Sequence, residues 1–312
     1  MIGHMSDHDH KEELSVSQQT NGNNSKNNGN NGSDFDPELL LQSLPYIQQY
    51  HQKIVLIKYG GNAMVNEELK NQVIKDIAFM KFVGIKPVVM HGGGPEITNM
   101  LERLGKETKF VNGLRETDEE TMEITEMVLT GKVAKDLVAR IGRYGIKSVA
   151  ISGQDGGLIR ASQKDPKLGF VGKIEEINPQ LVFELLENDY VPVISSIGID
   201  TKGRRYNINA DEAAGKMAVA LGASVQLLLT DVEGVMKEKG TEKVVIPNLS
   251  PKDVKHYIES GVITGGMIPK VNCCVESVAN GVRRAHIIDG RESHSLLMEI
   301  FSDESKGTTI SE

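Results

Sequence analysis

An α/β sandwich on a mostly parallel sheet is the fold class that the sequence predicts, and three observations predict it. Short apolar runs at 54–57 and 87–90 read as strands buried on both faces. Each opens into a glycine turn and then a stretch of helical periodicity, the alternation expected of parallel strands with crossover helices. A second alternating set follows in the C-terminal half, and 312 residues suffice for two lobes whose ligands meet between them.

Residues 1–35 are polar, with an Asn/Gly-rich tract at 21–32 that cannot bury enough apolar surface to offset its ordering entropy, so they read as a disordered tail. His4, His8 and His10 within it read as incidental rather than as metal ligands. Residues 36–52 form a helical arm: Asp36 caps, Pro37 suits a first turn, and Leu40, Leu41, Leu44 and Ile47 make an apolar stripe that Pro45 should bend. Periodicity leaves open whether the stripe packs on its own core or on another subunit.

Lys58-Tyr59-Gly60-Gly61 follows the first strand and places a lysine where that strand should break into a turn. A helix at 67–83 stops at Gly84, and the second strand leads into His91-Gly92-Gly93-Gly94-Pro95 and a helix through Leu104. Thr117 with Glu120 has capping-box spacing before a long helix that ends near Gly145. A strand at 147–151 precedes loops or hairpins at 152–157 and 163–172, and Asn178-Pro179 begins a helix before the strand at 191–194. The polar, glycine-containing stretch 198–206 is the expected hinge between an N-terminal lobe, 53–200, and a C-terminal lobe, 201–312. Helices at 211–221, 250–261 and 267–280 then alternate with strands at 225–229 and 285–288.

A net charge of −8 without a dense basic block argues against nucleic acid or an anionic membrane as partner. No stretch approaches the roughly 20 apolar residues of a membrane span, and the N-terminus has neither a secretory core nor an Arg-rich transit composition. Cys273 and Cys274 are adjacent, too few for a disulfide framework and without a second pair for zinc. A soluble protein in a reducing cytoplasm is the expected setting.

His91-Gly92-Gly93-Gly94 joins a strand to a helix, where backbone N–H groups and the helix dipole favour an anion. Its spacing fits neither a Walker loop nor the GxGxxG pattern, and a tight turn packed on the sheet is the competing reading. Lys58 and Lys270 each lie beside a glycine pair, Gly60-Gly61 and Gly265-Gly266, and could converge. Phosphoryl transfer from ATP to an anionic acceptor brings together groups that repel, for which positioned lysines and Mg²⁺ are the expected solution. One lysine at about 4 Å is worth ~4 kcal/mol at an effective dielectric of about 20, before desolvation. Asp211 could orient such a pair, although an Asp at a helix start also serves as an ordinary cap.

Six strings in order, IKYGGNAM (57–64), HGGGPEI (91–97), NGLR (112–115), YNINADEAAGK (206–216), LLLTDVEGV (227–235) and GGMIPKVNCC (265–274), resemble the acetylglutamate kinase family of the amino acid kinase superfamily. The resemblance implies a three-layer αβα sandwich around a central mostly parallel sheet. It also implies ATP-dependent phosphorylation of the γ-carboxylate of N-acetyl-L-glutamate, the second step of arginine synthesis. Lys58 and Lys270 would stabilise the transition state and Asp211 would orient them; Gly93, Gly94, Arg115 and Asn207 would bind substrate. Gly60, Gly61, Thr230, Asp231 and Gly266 would meet the nucleotide, with the purine near 230–235. Mg²⁺ would be held by the nucleotide phosphates, with no dedicated protein ligand. Glu116 departs from the pattern, standing where a small apolar residue is expected.

The arm, with LPYI at 44–47, resembles that of arginine-inhibited members, which interlace such arms to join dimers into a hexamer, a trimer of dimers. The resemblance then implies inhibition by L-arginine through Tyr46, Lys216, His286, Glu299 and Gly307. Taken alone, His286 is a structural histidine and Lys216 a solvated helix residue, whereas Glu299 suits a guanidinium independently. The string MIPKVNCC also resembles members from photosynthetic lineages that bind the PII signalling protein. Two alternatives stand beside this reading: a superfamily kinase for another amino acid or acylated amino acid, and a non-catalytic arginine-sensing subunit.

Overall fold

A computed structural model of the protein describes residues 37–111, 113–240, 242–302 and 305–312. The tail, the Asp36 cap and Asn112 of the NGLR string lie outside the described residues. The arm is two short helices, α1 (Pro37–Gln42) and α2 (Leu44–Tyr50), broken at Ser43 where Pro45 removes a backbone donor. The second packs on the chain itself and buries Tyr50, while Leu41 and Leu44 remain exposed.

The first lobe continues with β1 (Ile54–Tyr59), α3 (Glu67–Phe82), β2 (Lys86–His91) and α4 (Gly94–Arg103). A small hairpin, β3 (Phe110–Val111) and β4 (Leu114–Arg115), leads to α5 (Glu119–Glu126), a π-helical segment at Met127–Val133, and α6 (Ala134–Gly142). The predicted capping box does not form. Asp118 caps α5 by accepting from the Thr121 N–H at 2.8 Å, because Thr117 is turned inward and wholly buried. Next come β5 (Ser148–Ser152), the hairpin β6 (Ile159–Gln163) and β7 (Gly172–Ile177), α7 (Gln180–Glu187) and β8 (Val191–Ser195). The stretch expected as a hinge is itself a hairpin, β9 (Ile197–Ile199) with β10 (Arg205–Asn207), anchored by buried Tyr206.

The second alternating set is α8 (Ala210–Ala220), β11 (Val225–Thr230), the hairpin β12 (Met236–Lys239) and β13 (Glu242–Val245), β14 (Asn248–Leu249), α9 (Pro251–Glu259), α10 (Met267–Ala279), β15 (Arg284–Asp289), α11 (Ser295–Phe301) and β16 (Thr308–Ile310). Eight strands make one sheet in the order β14-β16-β15-β11-β1-β2-β8-β5, parallel except where β16 runs against β15. Because β1 pairs directly with β11, this sheet is continuous through both halves of the chain.

Side chains alternate across each strand, and the core divides accordingly. Val55, Ile57 and Tyr59 pack with residues of α3, α6 and α11, whereas Leu56 packs with α7 and α8 on the other face. A further cluster of α9, α10 and the C-terminal strands extends that second face. The result is the mostly parallel α/β sandwich expected from the strand and helix alternation, in the three layers that the family resemblance implies. It also corrects the position of Lys58, which lies within β1 rather than beyond it, on the same face as Leu56.

Candidate active site

β1 and β2 end side by side, with Tyr59 opposite His91, so the turns at Gly60-Gly61 and Gly92-Gly93-Gly94 meet at the carboxyl edge of the sheet. They line a cavity of about 200 Å³ together with Lys58, Arg115, Asn207 and Asp211.

Asn209 caps α8, its side chain accepting from the N–H groups of Asp211 and Glu212 at 2.9 and 3.0 Å. The Asp211 carboxylate is therefore not needed as a cap and turns toward the sheet. Lys58 Nζ lies 2.9 Å from its Oδ1, and Lys270, reaching in from α10, donates to Oδ2 at 2.6 Å. Burial acts to raise the Asp211 pKa, but the two ammonium groups outweigh it and hold the carboxyl at about 2. One ionised carboxylate thus spaces two lysines at the mouth of the glycine turns.

Gly93 precedes α4 and Gly94 is its first residue, so the first-turn amides of a ten-residue helix border the cavity. A Cβ on Gly93 would overlap the Leu129 side chain, which the π-helical segment presses against the turn. His91 is fully buried, and that burial lowers its pKa to about 4. It is neutral and donates from Nδ1 to the Gly92 carbonyl at 2.9 Å, so positive charge in the site comes from the lysines and Arg115.

Arg115 is buried at the end of β4, where Nη2 donates to the Gly94 carbonyl and to Thr98 Oγ1, each at 2.9 Å, and Nη1 donates to Thr108 Oγ1 at 3.2 Å. The Phe110 ring covers it, with its centroid 4.7 Å from Cζ. All these partners are neutral, and burial lowers the guanidinium's pKa, an effect that a bound carboxylate would reverse. Asn207 ends β10 at the same cavity, whereas Glu116 is exposed and stays outside it.

A larger cleft, about 750 Å³, is lined by Val232, Val235, Met236, Tyr257, Val262 and Met267. Thr230 leads into it from β11, its hydroxyl accepting from the Val232 N–H at 3.0 Å. The Asp231 carboxylate sits against Gly61, and Gly266 lines an opening that it shares with Lys270. Only the strand end of this cleft carried a motif; Met236, Tyr257 and Val262 carry none.

His286 on β15 bonds Glu299 of α11 at 2.6 Å and Thr309 Oγ1 at 3.0 Å, and Glu299 accepts from Ser305 at 2.8 Å. Burial favours a protonated Glu299, but these hydrogen bonds outweigh it and lower its pKa. Gly307 lies against Ile287 beside them, and α2, which carries Tyr46, packs on α11. Lys216 does not join this group. It projects from α8 on the opposite face of the sheet, 3.0 Å from Glu276. Among the described residues, no cluster of three or more His, Cys, Asp or Glu is placed to hold a metal, and no helix is long and apolar enough to cross a membrane.

Residues 53–289 match the Amino acid kinase family. An acetylglutamate kinase of Alkaliphilus metalliredigens is 56% identical over 273 residues, covering 88% of this chain and 86% of its own. One from Heliobacterium modesticaldum is 52% identical over 284 residues, covering 87% of this chain and 96% of its own. Among solved structures, an N-acetylglutamate synthase from Neisseria gonorrhoeae, complexed with coenzyme A and N-acetyl-glutamate, superposes with a TM-score of 0.79 at 21% identity, which shows a shared fold. It covers 89% of this chain, which spans 64% of the synthase chain.

Proposed function

The chain belongs to the amino acid kinase family, and from that premise we infer that it phosphorylates the side-chain carboxylate of N-acetyl-L-glutamate with ATP, a step of arginine biosynthesis. The observation that carries this reading is the seating of Lys58 and Lys270 on the two oxygens of Asp211, beside a glycine turn and a buried arginine with neutral partners. The small cavity suits a dicarboxylate and the larger cleft a purine nucleoside.

Arg115 holds the α-carboxylate of the acceptor, with Asn207 beside it, and the amides around Gly93 and Gly94 hold the reacting carboxylate. That carboxylate is already ionised, so it attacks the γ-phosphorus without a general base; ADP leaves and an acyl phosphate forms. Neutral, buried His91 is consistent with a site that moves no proton. Lys58 and Lys270 neutralise the charge that spreads over the transferring oxygens, and Asp211 fixes their separation. Gly60, Gly61 and Gly266 border the phosphate path, while Thr230 and Asp231 lead to the purine. Mg²⁺ bound with the nucleotide would supply further neutralisation, and with a lysine against each of its oxygens Asp211 is left to position the lysines rather than to ligate a metal.

Exposed Leu41 and Leu44 on the arm support its docking on another copy of the chain, joining dimers into a hexamer. L-arginine inhibits through Tyr46, His286, Glu299 and Gly307, without Lys216. Activity unchanged at millimolar arginine would count against that regulation. The catalytic reading is tested by trapping the acyl phosphate with hydroxylamine, using N-acetyl-L-glutamate against glutamate and aspartate. Equal or better turnover of either control overturns it.

A further inference from the structure

We propose that Thr117 is a positioning residue that orients the Asn207 amide, so that the acceptor cavity offers its substrate a hydrogen-bond acceptor directed at an N–H group. The proposal rests on the reading of this cavity as the acceptor site and specifies what it selects.

Thr117 has no exposed surface, and each of its polar groups is engaged. Its N–H donates to the Leu168 carbonyl at 3.0 Å, and its carbonyl accepts from the Phe170 N–H at 2.6 Å. Gly169 between them has a φ of +68° and sits so close that a Cβ would collide with the Thr117 carbonyl oxygen. Phe170 in turn accepts from the Asn207 N–H at 2.8 Å. The backbone of Thr117 therefore locks the β6–β7 connection against β10, which carries Asn207.

The side chain then settles an orientation that an asparagine alone leaves open. Thr117 Oγ1 lies 2.8 Å from the Arg115 carbonyl oxygen. A carbonyl can only accept, so the single hydroxyl proton is committed to it. Asn207 approaches the same Oγ1 at 3.2 Å and must present its NH₂, because Oγ1 has only lone pairs left to offer. One N–H of the amide is thereby committed to Thr117, which fixes the orientation of the group and leaves its carbonyl oxygen, with the second N–H, for the cavity that Asn207 lines. One hydroxyl thus couples the strand end of Arg115 to the amide of Asn207. With the α-carboxylate on Arg115, the neighbouring acceptor suits the N–H of an α-amido dicarboxylate and disfavours the isosteric ester, whose oxygen would meet it lone pair to lone pair.

The test compares N-acetyl-L-glutamate with 2-acetoxyglutarate, in which an ester oxygen replaces the N–H, in steady-state kinetics of the wild type, Thr117→Val and Thr117→Ser. The wild type should prefer the amide in kcat/KM by roughly tenfold or more. Thr117→Val should raise KM for the amide about tenfold, leave kcat within about threefold and shrink the amide-to-ester ratio toward one, whereas Thr117→Ser should restore both values. An unchanged ratio in Thr117→Val overturns the proposal. So does a wild-type ratio near one, which depends on no variant folding. A wild type that phosphorylates neither compound refutes the functional reading itself, and this proposal with it.

Discussion

Asp211→Asn is the perturbation that best isolates the two-lysine arrangement, because the amide keeps the shape of the carboxylate and removes only its charge. Ammonium groups lie 2.9 and 2.6 Å from separate oxygens of Asp211. At about 3 Å and an effective dielectric of about 20, each contact is worth ~5 kcal/mol before desolvation, and repulsion between the two lysines opposes part of it. The side chains of Lys58, Asp211 and Lys270 are 11%, 14% and 24% exposed, so solvent screens part of this. A loss of about 2–4 kcal/mol from the transition state is the expected remainder, a fall in kcat of roughly 30- to 1,000-fold. KM for ATP should stay level or drop, since the variant site is one charge more positive toward an anionic nucleotide. The same trapping assay, run across nucleotide and acceptor concentrations, reads both constants. A kcat within about threefold of the wild type, or a raised KM with kcat intact, would refute the claim that Asp211 acts by fixing the lysines.

Arg115→Ala should raise KM for the acceptor roughly 100-fold and lower kcat less than tenfold, since the guanidinium binds a group that does not react; a loss confined to kcat would reassign it to the chemistry. Buried Asp76 on α3 carries a pKa raised to about 6 by desolvation, in spite of His294 at 2.6 Å and the N–H groups of Leu296 and Leu297. Its contribution to stability is full below about pH 4 and declines by roughly 3 kcal/mol as pH rises to about 6. The melting temperature of Asp76→Asn should therefore lack the fall between pH 4 and 6, and parallel melting curves would contradict this. Deletion of residues 1–43 removes α1 and spares α2 with its buried Tyr50, so light scattering should report a dimer in place of a hexamer; a hexamer that survives the deletion rules out α1 as the docking element.

The buried strands and the turns that end them were legible because a parallel strand covered on both faces has to be apolar throughout, as at 54–57 and 87–90. Local patterns failed where a distant partner outbid them. Thr117 has the spacing of a capping box with Glu120, but its hydroxyl is claimed by Arg115 and by Asn207, 90 residues away, and the adjacent Asp118 caps instead. A polar, glycine-bearing stretch reads equally as hinge or turn, and 198–206 proved a turn because Tyr206 is buried. The β12–β13 hairpin is not legible in the sequence, since Met236–Lys239 and Glu242–Val245 have no two-residue apolar alternation.

Lys58 combines both lessons. In a turn its ammonium could swing to several partners, but within β1 the pleat fixes its direction, and pairing of β1 with both β2 and β11 fixes the register. A slip of one residue would send the ammonium to the face of α3 and α6, where Tyr59 now lies, and away from Asp211 on α8. The apolar residues preceding the lysine are thus part of the site. Their alternation between Val55 and Ile57 on one core and Leu56 on the other specifies which face the charge must take.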